Sequence, residues 1–140
     1  MFSSSCTRRR FLVGCVSATL AVVVRPASAP GLTPAPGPHP EPRPGIDASK
    51  VLSSEQLRDA PEAVPAFDAV RKIPQIADGI RCHCGCAERV GYYSLLSCYE
   101  GEGMAQMCLI CQGEGQLAER LHREGRTLAE IRSAIDARFA

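Results

Sequence analysis

The chain has 140 residues, eight of them cysteine and none tryptophan, with 5% aromatic residues and a net charge of +1. The charge is uneven: Arg8, Arg9, Arg10 and Arg25 fall in the first 29 residues without an acid, leaving 12 basic against 15 acidic residues behind them. A surplus of acid with few stacking rings excludes the electrostatic footprint of a nucleic-acid partner.

Thr7-Arg8-Arg9-Arg10-Phe11-Leu12 is similar to a twin-arginine export signal, and the 14-residue apolar run from Phe11 to Val24 suits a signal core rather than a bilayer span. Residues 1–29 are therefore expected to be a targeting segment. Ala27-Ser28-Ala29 has the small-x-small form of a cleavage site, although Pro30 follows it. Leu12-Val13-Gly14-Cys15 has the form of a lipobox. Membrane association through an uncleaved signal or a lipidated Cys15 stays open. The expected location is the periplasm or the outer face of the cell membrane.

Residues 30–50 form a proline-rich stretch, expected to be an extended spacer with a solvated His39. Residues 51–140 are expected to fold as a small, mainly α, cysteine-rich module with irregular loops. So short a unit buries little apolar surface and needs a disulfide, a metal or a partner as a staple. Ser53 to Gln56 predicts a capping box opening a short helix to Asp59. A second helix is predicted over Ala66–Ile73, stopped by Pro74. Gly79–Gly91 reads as a loop, Tyr92–Tyr99 as two helical turns and Met104–His122 as a longer helix weakened by Gly113 and Gly115. Gly125 predicts a C-terminal cap. Thr127 to Glu130 is a capping box for a last helix with Leu128, Ile131, Ile135 and Phe139 on one face. His122 reads as solvated.

Chemistry concentrates in the cysteines, six of which lie between Cys82 and Cys111. Cys82, Cys84 and Cys86 alternate, and Gly85 lets the backbone turn so that their sulfurs can converge. Cys108 and Cys111 stand at i and i+3, and Cys98 lies between the two groups. The six are expected to form one cluster. It suits a soft metal, zinc or copper, with His83 as an added nitrogen ligand and Met104 or Met107 as a thioether. The metal would serve metal handling or structure. The alternative is three disulfides in a non-catalytic interaction module. A redox role is a third reading, since any close cysteine pair can exchange. Early metal loading agrees with the export route, because cytosolic thiols are reduced. Cys108-x-x-Cys111-x-Gly113-x-Gly115 matches one repeat of the zinc pattern of DnaJ-type chaperones but supplies only two ligands. No paired carboxylates, Ser-His-Asp set or phosphate loop points to an enzyme.

Arg81-Cys82-His83-Cys84-Gly85-Cys86 resembles the Pro-Cys-Tyr-Cys-Gly-Cys motif that names a family of small bacterial exported proteins and lipoproteins. The resemblance continues through Ser94-Leu95-Leu96-Ser97-Cys98-Tyr99 and Cys108-Leu109-Ile110-Cys111. It closes on Glu124-Gly125-Arg126-Thr127 and Glu130-Ile131-Arg132, so it spans about Val64 to Phe139. Arg81 replaces the family proline and His83 the tyrosine. The resemblance implies an envelope compartment and a small cysteine-rich architecture rather than an activity.

Overall fold

The computed structural model describes residues 37–140 of the chain. The twin-arginine motif, the apolar run, the cleavage and lipobox candidates and the first part of the proline-rich stretch lie outside the described residues.

The architecture is mainly α. Helices α1 (Val64–Lys72), α2 (Pro74–Asp78), α3 (Cys86–Val90), α4 (Leu109–Arg123) and α5 (Leu128–Phe139) are joined by loops and three short 3-10 turns. There is no strand among the described residues, only a single antiparallel bridge between Val51 and Glu100. Among them, no helix is long and apolar enough to cross a membrane.

The predicted capping box at Ser53 forms: the Ser53 N–H donates to Gln56 Oε1 (2.8 Å) and the Gln56 N–H to Ser53 Oγ (3.3 Å). It closes only a turn. So short a segment does not repay helix nucleation, and Pro61 pushes Ala60 out of the helical region. The turn still buries Leu57 completely. Pro74 stops α1 as expected, then serves as the first residue of the unpredicted α2, where its missing N–H costs nothing. The loop expected over Gly79–Gly91 contains α3, bracketed by Gly85 (φ 79°) and Gly91 (φ 71°), both left-handed. The two turns expected over Tyr92–Tyr99 shrink to a 3-10 turn, Leu96–Tyr99.

Predicted as one helix, Met104–His122 is broken at Cys108, whose extended backbone (φ −102°, ψ 104°) makes it the N-cap of α4. The two glycines of α4 have a packing reason. A Cβ on Gly115 would meet the Tyr99 hydroxyl and come within 2.7 Å of Val70 Cγ2, so glycine lets α4 approach α1 and the turn below. On Gly113 it would lie 3.1 Å from the Phe139 ring of α5. Gly125 (φ 81°) ends α4 as predicted: its N–H donates to His122 O and that of Arg126 to Leu121 O, a Schellman motif. The Thr127–Glu130 capping box opens α5, which buries Ile131 and Ile135 completely against the core. Burial of Phe67, Ile80, Leu96 and their neighbours is worth roughly 1.5–3 kcal/mol per side chain.

The spacer expectation changes from Gly37 onward, where the chain is laid on the module. Arg43 binds the buried Asp78 through its side chain (2.6 Å) and its backbone N–H (2.8 Å), and Ser94 Oγ adds a third donor (2.9 Å). Arg132 of α5 donates to Pro40 O (2.7 Å) and Gly79 O (2.8 Å). Prolines cannot build a core, but their carbonyls still accept, and here side chains from α5 and the loops supply the donors. His39 is correspondingly not solvated: its Nε2 lies 3.0 Å from Asp136 Oδ1 and its Nδ1 accepts from the Arg81 N–H (3.0 Å).

Candidate metal centre

Four segments meet at the cysteines. The loop after α2 carries Cys82 and Cys84, Gly85 turns the chain, and Cys86 opens α3. Cys98 sits on the 3-10 turn Leu96–Tyr99, and Cys111 on the first turn of α4. The Tyr99 hydroxyl donates to Cys111 O (2.6 Å) and its ring stands edge-on to Phe67 (4.7 Å), which ties the Cys98 turn to α4 and α1.

The sulfurs of Cys82, Cys84, Cys98 and Cys111 all lie within 4.8 Å of one another. Cys82 Sγ is 3.2 Å from that of Cys84 and 3.5 Å from that of Cys111. Metal–sulfur bonds of roughly 2.3 Å in a tetrahedron separate sulfurs by about 3.8 Å, so the set fits a four-coordinate ion after small rotations of χ1. Cys82, Cys98 and Cys111 are buried and Cys84 is half-buried. The group can hold a metal ion.

The six cysteines are free thiols. Even the closest pair, Cys84 and Cys86 at 2.8 Å, is well beyond the roughly 2.05 Å of a disulfide. The three-disulfide arrangement is therefore not what these residues form here.

Mutual contact makes the thiols unequal. Hydrogen bonds from Cys111, Cys82 and Cys98 hold the Cys84 thiol far below the ordinary thiol range. Hydrogen bonding to Cys111 and Cys84, with burial, pushes Cys82 far up, and burial next to Cys84 raises Cys86. A bound cation would draw these thiols into the thiolate form.

Three expected ligands, His83, Cys108 and Cys86, stand apart from the four-sulfur group. His83 is turned away: its Nδ1 lies 2.6 Å from Glu114 Oε1, its backbone N–H donates to the same oxygen (2.9 Å), and its Nε2 lies 3.0 Å from Asp136 Oδ1. The backbone turns at His83 and Cys84, and the two contacts to Glu114 hold the ring away from the sulfurs. Cys108 is the second. Its i, i+3 relation to Cys111 required a helix through both, and the extended N-cap breaks that relation. Cys86 touches Cys84 but is outside the group of four. Met104 is partly buried beside the cluster and Met107 is 86% exposed. His122 lies in the last turn of α4, away from the sulfurs.

Glu114 was not foreseen. It is completely buried on α4, and burial pushes its carboxyl above the usual carboxylate range although contacts with Cys82 and His83 pull the other way. One signal was available: Glu114 follows Cys111 by three residues, one helical turn on the same face.

Compared with known proteins, the chain matches no family model, no curated protein and no solved structure.

Proposed function

We propose that this chain is an exported soft-metal-binding protein of the bacterial cell envelope, holding zinc or copper on Cys82, Cys84, Cys98 and Cys111 for metal handling or for structure. The observation that carries the reading is the convergence of four sulfurs within 4.8 Å, drawn from a loop, a 3-10 turn and a helix far apart in sequence. An all-sulfur set selects soft or borderline ions over magnesium or calcium, which take oxygen. When bound, the ion supplies a cross-link among those segments, the staple that a module this small needs. Export is supported by the Arg8-Arg9 pair ahead of an apolar run, and kinship with the Pro-Cys-Tyr-Cys-Gly-Cys family by the six cysteines in register.

The test is native mass spectrometry with thiol counting on the full chain purified after its own export. The expected result is one metal on the four cysteines, lost in Cys98→Ser and Cys111→Ser, with free thiols after chelation. A metal-free mass six hydrogens below the reduced chain would instead identify a disulfide-stapled module and overturn the proposal.

A further inference from the structure

Cys86 and Cys108 remain outside the four-sulfur group, yet they line a common cavity. A hollow of about 330 Å³ is bounded by Cys84, Cys86, Arg89, Val90, Met104 and Cys108. Its donors are three thiols and a thioether. No carboxylate or imidazole is among them, and Arg89 carries a guanidinium that has no lone pair to offer a metal. Cys84 and Cys108 are half-buried and Cys86 is buried, so the hollow is open to solvent on the side of Cys84 and Cys108. Cys84 belongs to both places, and its sulfur lies 2.8 Å from that of Cys86.

We propose that this cavity is a second, solvent-reached site for a soft monovalent ion of the copper(I) class, bound by Cys86, Cys108 and Met104 beside the shared Cys84. This rests on the metal reading of the four-sulfur group. Two thiols and a thioether satisfy the low coordination that such ions accept, whereas zinc requires four ligands and is better served by the neighbouring group. Binding takes up one monovalent cation and forms two metal–sulfur bonds as Cys86 and Cys108 each lose a proton to water. The thioether adds no charge, so the product is a complex of net charge −1. Arg89, whose Nη2 donates to Cys84 O at 2.9 Å, stands beside that charge. No electron is transferred. Cys108 is suited to the task because its N-cap position frees it from the helical repeat and leaves it at the positive end of a 15-residue helix.

The experiment is an anaerobic titration of the reduced full chain with copper(I) against a competing chelator, read by native mass spectrometry. Wild type is expected to hold at least two ions. Cys108→Ser is expected to hold one fewer, and Met104→Leu to release that ion to a lower chelator concentration. Both residues are only partly buried, and circular dichroism is used to check that each variant stays folded. Equal counts and equal affinities in wild type, Cys108→Ser and Met104→Leu would overturn the second site. A single ion, lost in Cys98→Ser but kept in Cys108→Ser, would overturn the second site alone and leave the four-sulfur reading standing. No ion in wild type would overturn both.

Discussion

His83 and Glu114 are locked together by two contacts to one oxygen: the His83 N–H donates to Glu114 Oε1 at 2.9 Å, and the ring Nδ1 lies 2.6 Å from it. The pair pins the loop bearing Cys82 and Cys84 to the helix bearing Cys111. Replacing Glu114 with alanine leaves the buried N–H without its acceptor, at a cost of about 1–3 kcal/mol. It also frees the loop, so metal affinity is expected to fall by roughly 10–100-fold, as for other groups that orient ligands without touching the ion. Chelator competition on Glu114→Ala and Glu114→Gln checks this, with the glutamine variant expected to keep more affinity because its carbonyl still accepts. Equal affinity in all three proteins would show that the pair does not position the ligands.

Gly115→Ala is expected to destabilise the module by about 1–3 kcal/mol. Helix propensity favours the change by roughly 1 kcal/mol, but the new Cβ collides with Tyr99 and Val70, which are fully buried and cannot move aside. Gly113→Ala is the control, since it meets only the partly buried Phe139 ring at 3.1 Å. Urea unfolding of both variants should place Gly115→Ala below wild type and clearly below Gly113→Ala.

Asp78 makes the fold sensitive to acid. Burial alone would raise its carboxyl, but hydrogen bonds from the Arg43 side chain and backbone and from Ser94, with the Arg43 charge, outweigh it and hold the carboxyl below its usual range. A folded pKa below the unfolded one contributes stability that is fully present above about pH 4 and is lost as the pH falls through the lower folded value. Asp78→Asn should therefore be less stable than wild type at neutral pH, with the gap closing as the pH falls through the acid range below about 4. Denaturant midpoints across that range measure it, and carboxylates common to both proteins cancel in the difference. A gap that stays constant with pH would refute the assignment to Asp78.

Export is expected to depend on Arg8 and Arg9. With both replaced by lysine, the precursor should accumulate in the cytoplasm, detected by fractionation and immunoblotting. Undiminished export would point to the general secretory route and would remove the link between export and prior loading of the metal.

Local rules were enough for much of the frame. The helical class, the Thr127–Glu130 capping box, the Gly125 cap and the stop at Pro74 follow from hydrogen bonds and steric limits within a few residues, so the sequence alone determines them. The crowding of cysteines likewise announced a joint role. What needed the fold was the sorting of ligands. His83 lies between two members of the four-sulfur group, and only the buried carboxylate of Glu114 on α4 turns it away. Cys108 and Cys111 look equivalent at i and i+3, and only the break before α4 separates them. Gly115 reads as a weak point in a helix until Tyr99 and Val70 appear against it. Residues 37–50 read as spacer because prolines bury no core, yet Asp78 and Arg132, distant in sequence, bind their backbone and Arg43. In each case the deciding partner lies beyond the range over which sequence spacing fixes geometry, so only the packed chain could determine the outcome.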